Sequence, residues 1–256
     1  MTHGDLVLET KRLTKAFNGF TAVNDVDLRV RRGTIHALIG PNGAGKTTCF
    51  NLLTKFLAPT SGQIFFDGEE ITDAAPDSIA RRGVVRSFQI SAVFPNLSLI
   101  ENVSIGLQRA LGVSFRFWSS GRMLAQLRTR ALELLDEVGL VAYADARTAD
   151  LSYGHKRALE IATTLAMDPV LMLLDEPTQG MGHEDIDRVT ALIKRVSAGR
   201  TILMVEHNMK IIARISDMIT VLQRGEVLAE GSYAQVSADP RVKEAYMGAE
   251  NESLGQ

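Results

Sequence analysis

Gly40 to Thr47 reads GPNGAGKT, and the fold turns on how that octapeptide is read. It follows an apolar run, TIHALI, and precedes a helical pattern from about Lys46 to Leu57, so it joins a strand to a helix. Gly40, Gly43 and Gly45 let the backbone curl until several N–H groups point at phosphate oxygens. Pro41, Asn42 and Ala44 complete the loop. Lys46 is spaced to neutralise β- and γ-phosphates, and the Thr47 hydroxyl is spaced to ligate Mg2+. Thr48 follows in the first turn of a helix whose positive end faces the same phosphates. A chance glycine turn would lack the Lys-Thr pair at this spacing. The octapeptide predicts binding of a nucleoside triphosphate with Mg2+.

Apolar spacing organises the rest of the chain. VDLRV, Val26 to Val30, alternates and predicts a half-buried strand, and QIFFDG predicts another that ends in a turn. From about Pro95 to Ala166 the pattern is mainly helical, with leucines recurring at three and four residues in RMLAQLRTRALELLDEVGL. VLMLLDE, Val170 to Glu176, is short and nearly all apolar, as a strand buried on both faces of a parallel sheet is. TILMVEH repeats that pattern after the helical HEDIDRVTALIKRVSAG. MITVLQRGEVLAEG predicts two strands turning at Arg224-Gly225, and AENESLGQ a frayed polar tail. No internal repeat or linker interrupts the chain. One α/β domain with a helical insert is expected.

Asp175 and Glu176 close the apolar VLMLLDE strand, at the edge where a parallel sheet binds ligands. Asp175 suits Mg2+, directly or through water, and Glu176 can polarise an attacking water. Without a phosphate loop the pair could equally cap the next helix. His207 closes TILMVEH and is expected at the same edge, against the γ-phosphate. Gln89 follows another short apolar strand in VVRSFQ, where its amide can serve both Mg2+ and water.

LSYGHKRALEI, Leu151 to Ile161, is a helix entrance. Ser152 stands at the N-cap, ahead of Ala158, Leu159, Ala162 and Leu165 at helical spacing. Gly154 permits close backbone approach, while Tyr153 and His155 fill places where Gly and Gln would be expected. In order, Phe17, GPNGAGKTT, Gln89, LSYGH, LMLLDEP and His207 resemble the nucleotide-binding subunit of an ABC transporter, from about residue 6 to residue 248. The resemblance implies a P-loop NTPase, RecA-like α/β core with an antiparallel β subdomain at about 6–94 and 167–248. It also implies an inserted α-helical subdomain at about 95–166 and a tail at about 249–256. ATP and Mg2+ would be sandwiched between two subunits arranged head to tail. Phe17 would then stack on adenine, Gln89 couple Mg2+ to transmembrane permease subunits, Glu176 act as general base, and His207 sense the γ-phosphate. Ser152, Tyr153, Gly154 and His155 would complete the site of the neighbouring subunit. A protonated His155 facing a triphosphate would strengthen that pairing as pH falls.

A narrower likeness lies in KAFNGFTAVNDVDLRV, GVVRSFQISAVFPNLSLIENV, the insert through FRFWSSGRML, and PRVKEAYMG. These are similar to the ATPases of branched-chain amino acid importers, although amide, urea and lipopolysaccharide transport ATPases share them. Such importers imply a second ATPase subunit, the same or different, two membrane subunits and a periplasmic binding protein. The chain would sit peripherally on the cytoplasmic face of the inner membrane. One loop departs from the family: in TQGMGHED, Gly182 stands where an Asp commonly crosses the subunit interface. His183 or Glu184 could replace it, or simply start a helix.

Bulk composition excludes several classes. The 256 residues carry a net charge of −2, which provides no global attraction for nucleic acid or anionic lipid. The single Cys49 cannot form an internal disulfide and reads as a small buried residue. No run approaches the roughly 18 apolar residues of a membrane span, so a transport role requires partners. ISAVFPNLSLIENV is the candidate docking surface. The runner-up function is a soluble assembly ATPase of the same cassette type; a P-loop kinase would not need LSYGH or His207.

Overall fold

The computed structural model describes residues 5–87, 93–110 and 121–253, with the backbone alone for 121–123 and 247–253. β1 (Leu6–Phe17), β2 (Phe20–Val26) and β3 (Arg29–Arg31) open the chain. β4 (Ile35–Ile39) runs through the glycine loop into α1 (Lys46–Leu53), followed by β5 (Ser61–Phe66) and the short β6 (Glu69–Glu70). Next come α2 (Pro76–Arg81) and β7 (Val84–Ser87). The helical section contains α3 (Leu99–Ala110), α4 (Gly121–Glu137) and α5 (Tyr153–Leu165). β8 (Leu171–Asp175), α6 (His183–Val196), β9 (Thr201–Val205), α7 (Met209–Ile215) and β10 (Met218–Gln223) then alternate. β11 (Glu226–Gly231), α8 (Tyr233–Ala238) and α9 (Pro240–Ser253) end the described chain.

Two sheets result. One is antiparallel, in the order β2-β1-β5-β6 with β3 also on β1; the other runs β11-β10-β4-β9-β8-β7. Within the second, β10, β4, β9, β8 and β7 are parallel, and β11 is an antiparallel edge. Alternate residues of its central strands enter different cores. Ile35, Ala37, Ile39, Met172, Leu174, Ile202 and Met204 pack with the helical section. Leu38, Leu171, Leu173, Leu203 and Val205 pack with Phe50 and Leu53 of α1 and with the antiparallel sheet. Burial on both faces is why these strands read as unbroken apolar runs. The α/β core, the β subdomain and the helical insert expected from sequence are the architecture of this chain.

Three local expectations are corrected. Val26 to Val30 keeps its alternating burial but is not one strand: Asp27 and Leu28 separate β2 from β3. There the Thr10 hydroxyl bonds Val26 O and Leu28 N, replacing the ladder. α1 stops at Leu53 rather than Leu57, because Lys55 turns left-handed at φ 61°. A short helix, α2, with proline at its start precedes β7. Beyond residue 248 the chain remains helical as far as Ser253 instead of fraying.

Register brings the ends of the central strands together. Val205 pairs with Leu38 on one side and with Asp175 on the other, so β4, β9 and β8 finish in one row. Everything that follows them emerges at the same edge: the glycine loop, Glu206 and His207, and Glu176.

Candidate functional site

The phosphate loop is shaped by what lies beneath it. Gly40, at φ 150°, sits so close to β10 that an added Cβ would stand 2.1 Å from Leu222 O. Gly45, at φ 99°, would place a Cβ 2.4 Å from Ala22 O, and Gly225 N donates to Ala44 O at 3.0 Å. Gly43, at φ 77°, faces open space on the loop's free side. Thr47 is exposed and Thr48 half-buried, while Pro41 and Asn42 form the outer rim. Lys46 is buried, and its Nζ donates to Gly40 O at 2.8 Å and Pro41 O at 2.9 Å. Burial pushes its ammonium down from the ordinary lysine range, and the Glu176 and Asp175 carboxylates pull it back up. A cation seated on two loop carbonyls at a helix start and flanked by two carboxylates fits a magnesium-bearing polyphosphate. Cys49 is fully buried beneath the loop, where desolvation pushes its thiol up to about 12 and makes it inert.

Asp175 is the last residue of β8, and its carboxylate forms a close ion pair with Arg86 of β7. Glu176 comes next in a left-handed conformation, φ 44°, held by its N–H to Val205 O at 2.9 Å. Such a backbone is unusual for a non-glycine residue and is a feature that clusters at working sites. His207 lies two residues past β9, with its side chain 57% exposed. Beneath it, the buried Glu206 carboxylate accepts from the Thr178 hydroxyl and from the N–H groups of His207 and Asn208. Glu206 therefore holds the loops after β8 and β9 together. Arg157 of α5 does similar work, donating to Asp175 O at 3.2 Å and Pro177 O at 3.1 Å while pairing with Glu160.

Phe17 ends β1 opposite Phe20, and both rings are exposed. The Lys15 ammonium lies 5.2 Å from the centre of the Phe17 ring. This hairpin end is tied to the loop through Ala22, two residues beyond Phe20. Ser152 caps α5 as expected, its hydroxyl accepting from His155 N at 3.4 Å. Tyr153 donates its hydroxyl to Gln179 O at 3.0 Å, Gly154 packs against Asp185, and the His155 ring rests 5.0 Å from that of Tyr143. These contacts run to the loop after β8, to α6 and to the helical section rather than to the phosphate loop of the same chain. Gly182 is the N-cap of α6, with His183 and Glu184 exposed in its first turn. Gln89 and the FRFW segment lie outside the described residues.

Sequence reasoning missed Arg86, Arg157, Glu206 and Tyr246. The first and third were visible as lone charges in apolar strand runs, VVRS and ILMVEH. Tyr246 of α9 has its hydroxyl buried beside the Gly40 backbone without a hydrogen bond of full geometry; burial pushes its phenol up to about 12.

Fold and loop together define a nucleotide-binding cassette ATPase. The ABC transporter family profile matches residues 23–179, and the profile described as branched-chain amino acid ATP-binding cassette transporter matches residues 226–252. The chain is 39% identical to BraF of Pseudomonas aeruginosa, a high-affinity branched-chain amino acid transport ATP-binding protein, over 94% of this chain and 98% of BraF. It superposes with a TM-score of 0.82 on the ADP conformation of MJ1267, an ATP-binding cassette of an ABC transporter, at 27% identity. That alignment covers 95% of this chain and 99% of MJ1267. A dimeric post-hydrolysis state of the cassette MJ0796, bound to ADP and phosphate, matches with a TM-score of 0.73 at 28% identity, over 88% and 98% of the two chains. This chain belongs to the ABC transporter family and is an ATP-binding ATPase of it.

Proposed function

We propose that the chain powers uptake of branched-chain or other hydrophobic amino acids from the cytoplasmic face of the inner membrane. Its partners would be transmembrane permease subunits, a second ATPase subunit and, indirectly, a periplasmic binding protein. The observation that carries this reading is the branched-chain profile over residues 226–252, because phosphate loops and acidic strands serve cassettes of every cargo. That stretch forms β11, α8 and most of α9. No helix among the described residues is long and apolar enough to cross a membrane, so the proposal requires separate permeases.

In this reading Lys46 and the backbone N–H groups of residues 42–48 hold the β- and γ-phosphates, Gly40 and Pro41 shape the loop, and Phe17 stacks on adenine. Thr47, Asp175 and Gln89 would hold Mg2+, which would supply positive charge to those phosphates. Glu176 takes the proton of the attacking water and His207 contacts the γ-phosphate. Ser152, Tyr153, Gly154 and His155 face outward to complete the partner subunit's site. With Gly182 in place of a carboxylate, the link between the two sites runs through backbone and through Tyr153 on Gln179.

A groove of about 510 Å³ between α2 and α3 suits a permease segment. Ile79 and Arg86 line it from the core, Ile105 and Thr163 from the helical section, and Phe94 stands half exposed at its rim. A segment seated there would touch both halves of the cassette. Uptake of radiolabelled leucine by cells lacking this chain tests the proposal. Uptake should fall with its deletion and return with the parent chain but not with Lys46→Ala. Unchanged leucine, isoleucine and valine uptake, with stable complexes only to soluble assembly proteins, would overturn it.

A further inference from the structure

Asp175 already has a cation beside it. Arg86 Nη2 donates to Asp175 Oδ2 in a close ion pair, and Nη1 donates to Asn51 Oδ1 at 2.7 Å. The guanidinium lies 5.8 Å from the centre of the Phe50 ring. The two side chains are only 14% and 18% exposed. Register explains the meeting: Arg86 pairs with Leu173, two residues before Asp175, so both point to the face covered by α1, which supplies Phe50 and Asn51.

We propose that Arg86 is a positioning residue that stands in for the divalent cation at Asp175 and yields it when the metal arrives. The inference rests on the proposed role of Asp175 as a magnesium carboxylate. Asp175 and Glu176 are adjacent carboxylates whose charges both reach Lys46. Unpaired, a largely buried Asp175 would be costly and would repel an incoming polyphosphate. Arg86 cancels that charge and, through Asn51, fixes its place relative to the helix that carries Lys46 and Thr47. A planar fork serves two partners at once, which a lysine ammonium does less well. Metal-free nucleotide can then enter the site, and Mg2+ must compete with an internal cation for its ligand.

The test is binding of a fluorescent ATP analogue in EDTA and in saturating Mg2+, expressed as the ratio of the two Kd values. Arg86→Gln keeps a planar donor for Asn51 but removes the charge. It should weaken binding in EDTA about tenfold, the scale of one close charge pair, without weakening binding in Mg2+. The ratio therefore rises about tenfold, and Arg86→Lys falls between variant and parent. In an Asp175→Asn background, Arg86→Gln should leave the ratio unchanged. An unchanged ratio in the single variant, or the same rise in both backgrounds, overturns the role of Arg86. If Asp175→Asn alone does not alter the ratio, the magnesium role of Asp175 fails first and takes this inference with it.

Discussion

Lys46 spends its hydrogen bonds on two carbonyls of its own loop, an arrangement a polyphosphate can take over without moving the backbone. Its replacement by alanine removes charge-assisted bonds worth about 2–3 kcal/mol. Lys46→Ala should therefore weaken ATP binding about 30- to 160-fold by calorimetry; parent affinity would exclude Lys46 from the site. His36 is a different kind of residue. It is buried in β4, with Nε2 2.8 Å from the Thr220 hydroxyl, and desolvation lowers its pKa from 6.5 to about 4. Between those values the unfolded chain holds the proton and the folded chain does not. The contribution is thus intact above pH 6.5 and is lost as pH falls towards 4, by about 3 kcal/mol. Urea melts of His36→Gln should show a shallower loss of stability over that window than the parent; parallel curves would remove His36 from the account. Lys46, Thr47, Asp175 and Glu176 were legible because their spacing carries their chemistry. Arg86 was not, because its partner lies on another strand far along the chain.

At the scale of elements, α5 shows how local signals and tertiary contacts divide the work. Ser152 followed by an apolar helical face was enough to locate its start, and the structure places the cap there. Ser152→Ala should cost about 1 kcal/mol in denaturant unfolding. Ser152→Asp should restore stability, as asparagine and aspartate cap equally well, yet oppose a neighbour's triphosphate through its charge. Equal ATP-driven pairing by the Asp variant and the parent would show that Ser152 is only a cap. His155 rests against Tyr143 of its own chain, a contact that spacing within LSYGHKRALEI could not reveal. The break between β2 and β3 was equally hidden, since alternation persists through Asp27 and Leu28 while Thr10 of another strand intercepts the ladder.

At the scale of the whole molecule, each copy carries a phosphate loop with its carboxylates at the strand ends and a Ser152 helix start that makes no bond to that loop among the described residues. Head-to-tail pairing is the arrangement that would use both. Glu176→Gln should retain ATP, lose about 100-fold or more in hydrolysis, and accumulate as an ATP-bound pair in light scattering. Hydrolysis at the parent rate would exclude Glu176 as the base. By itself the sequence determined the elements whose signals are local: the phosphate loop, the doubly buried strands, the Ser152 cap and the carboxylate pair. Only the tertiary structure decided that β9 lies between β4 and β8, that Ala22 and Leu222 press on the loop glycines, and that Arg86 neutralises Asp175. The reason is physical. Periodicity and turn chemistry act over a few residues, whereas strand order and ion pairing depend on which distant segments share the two cores.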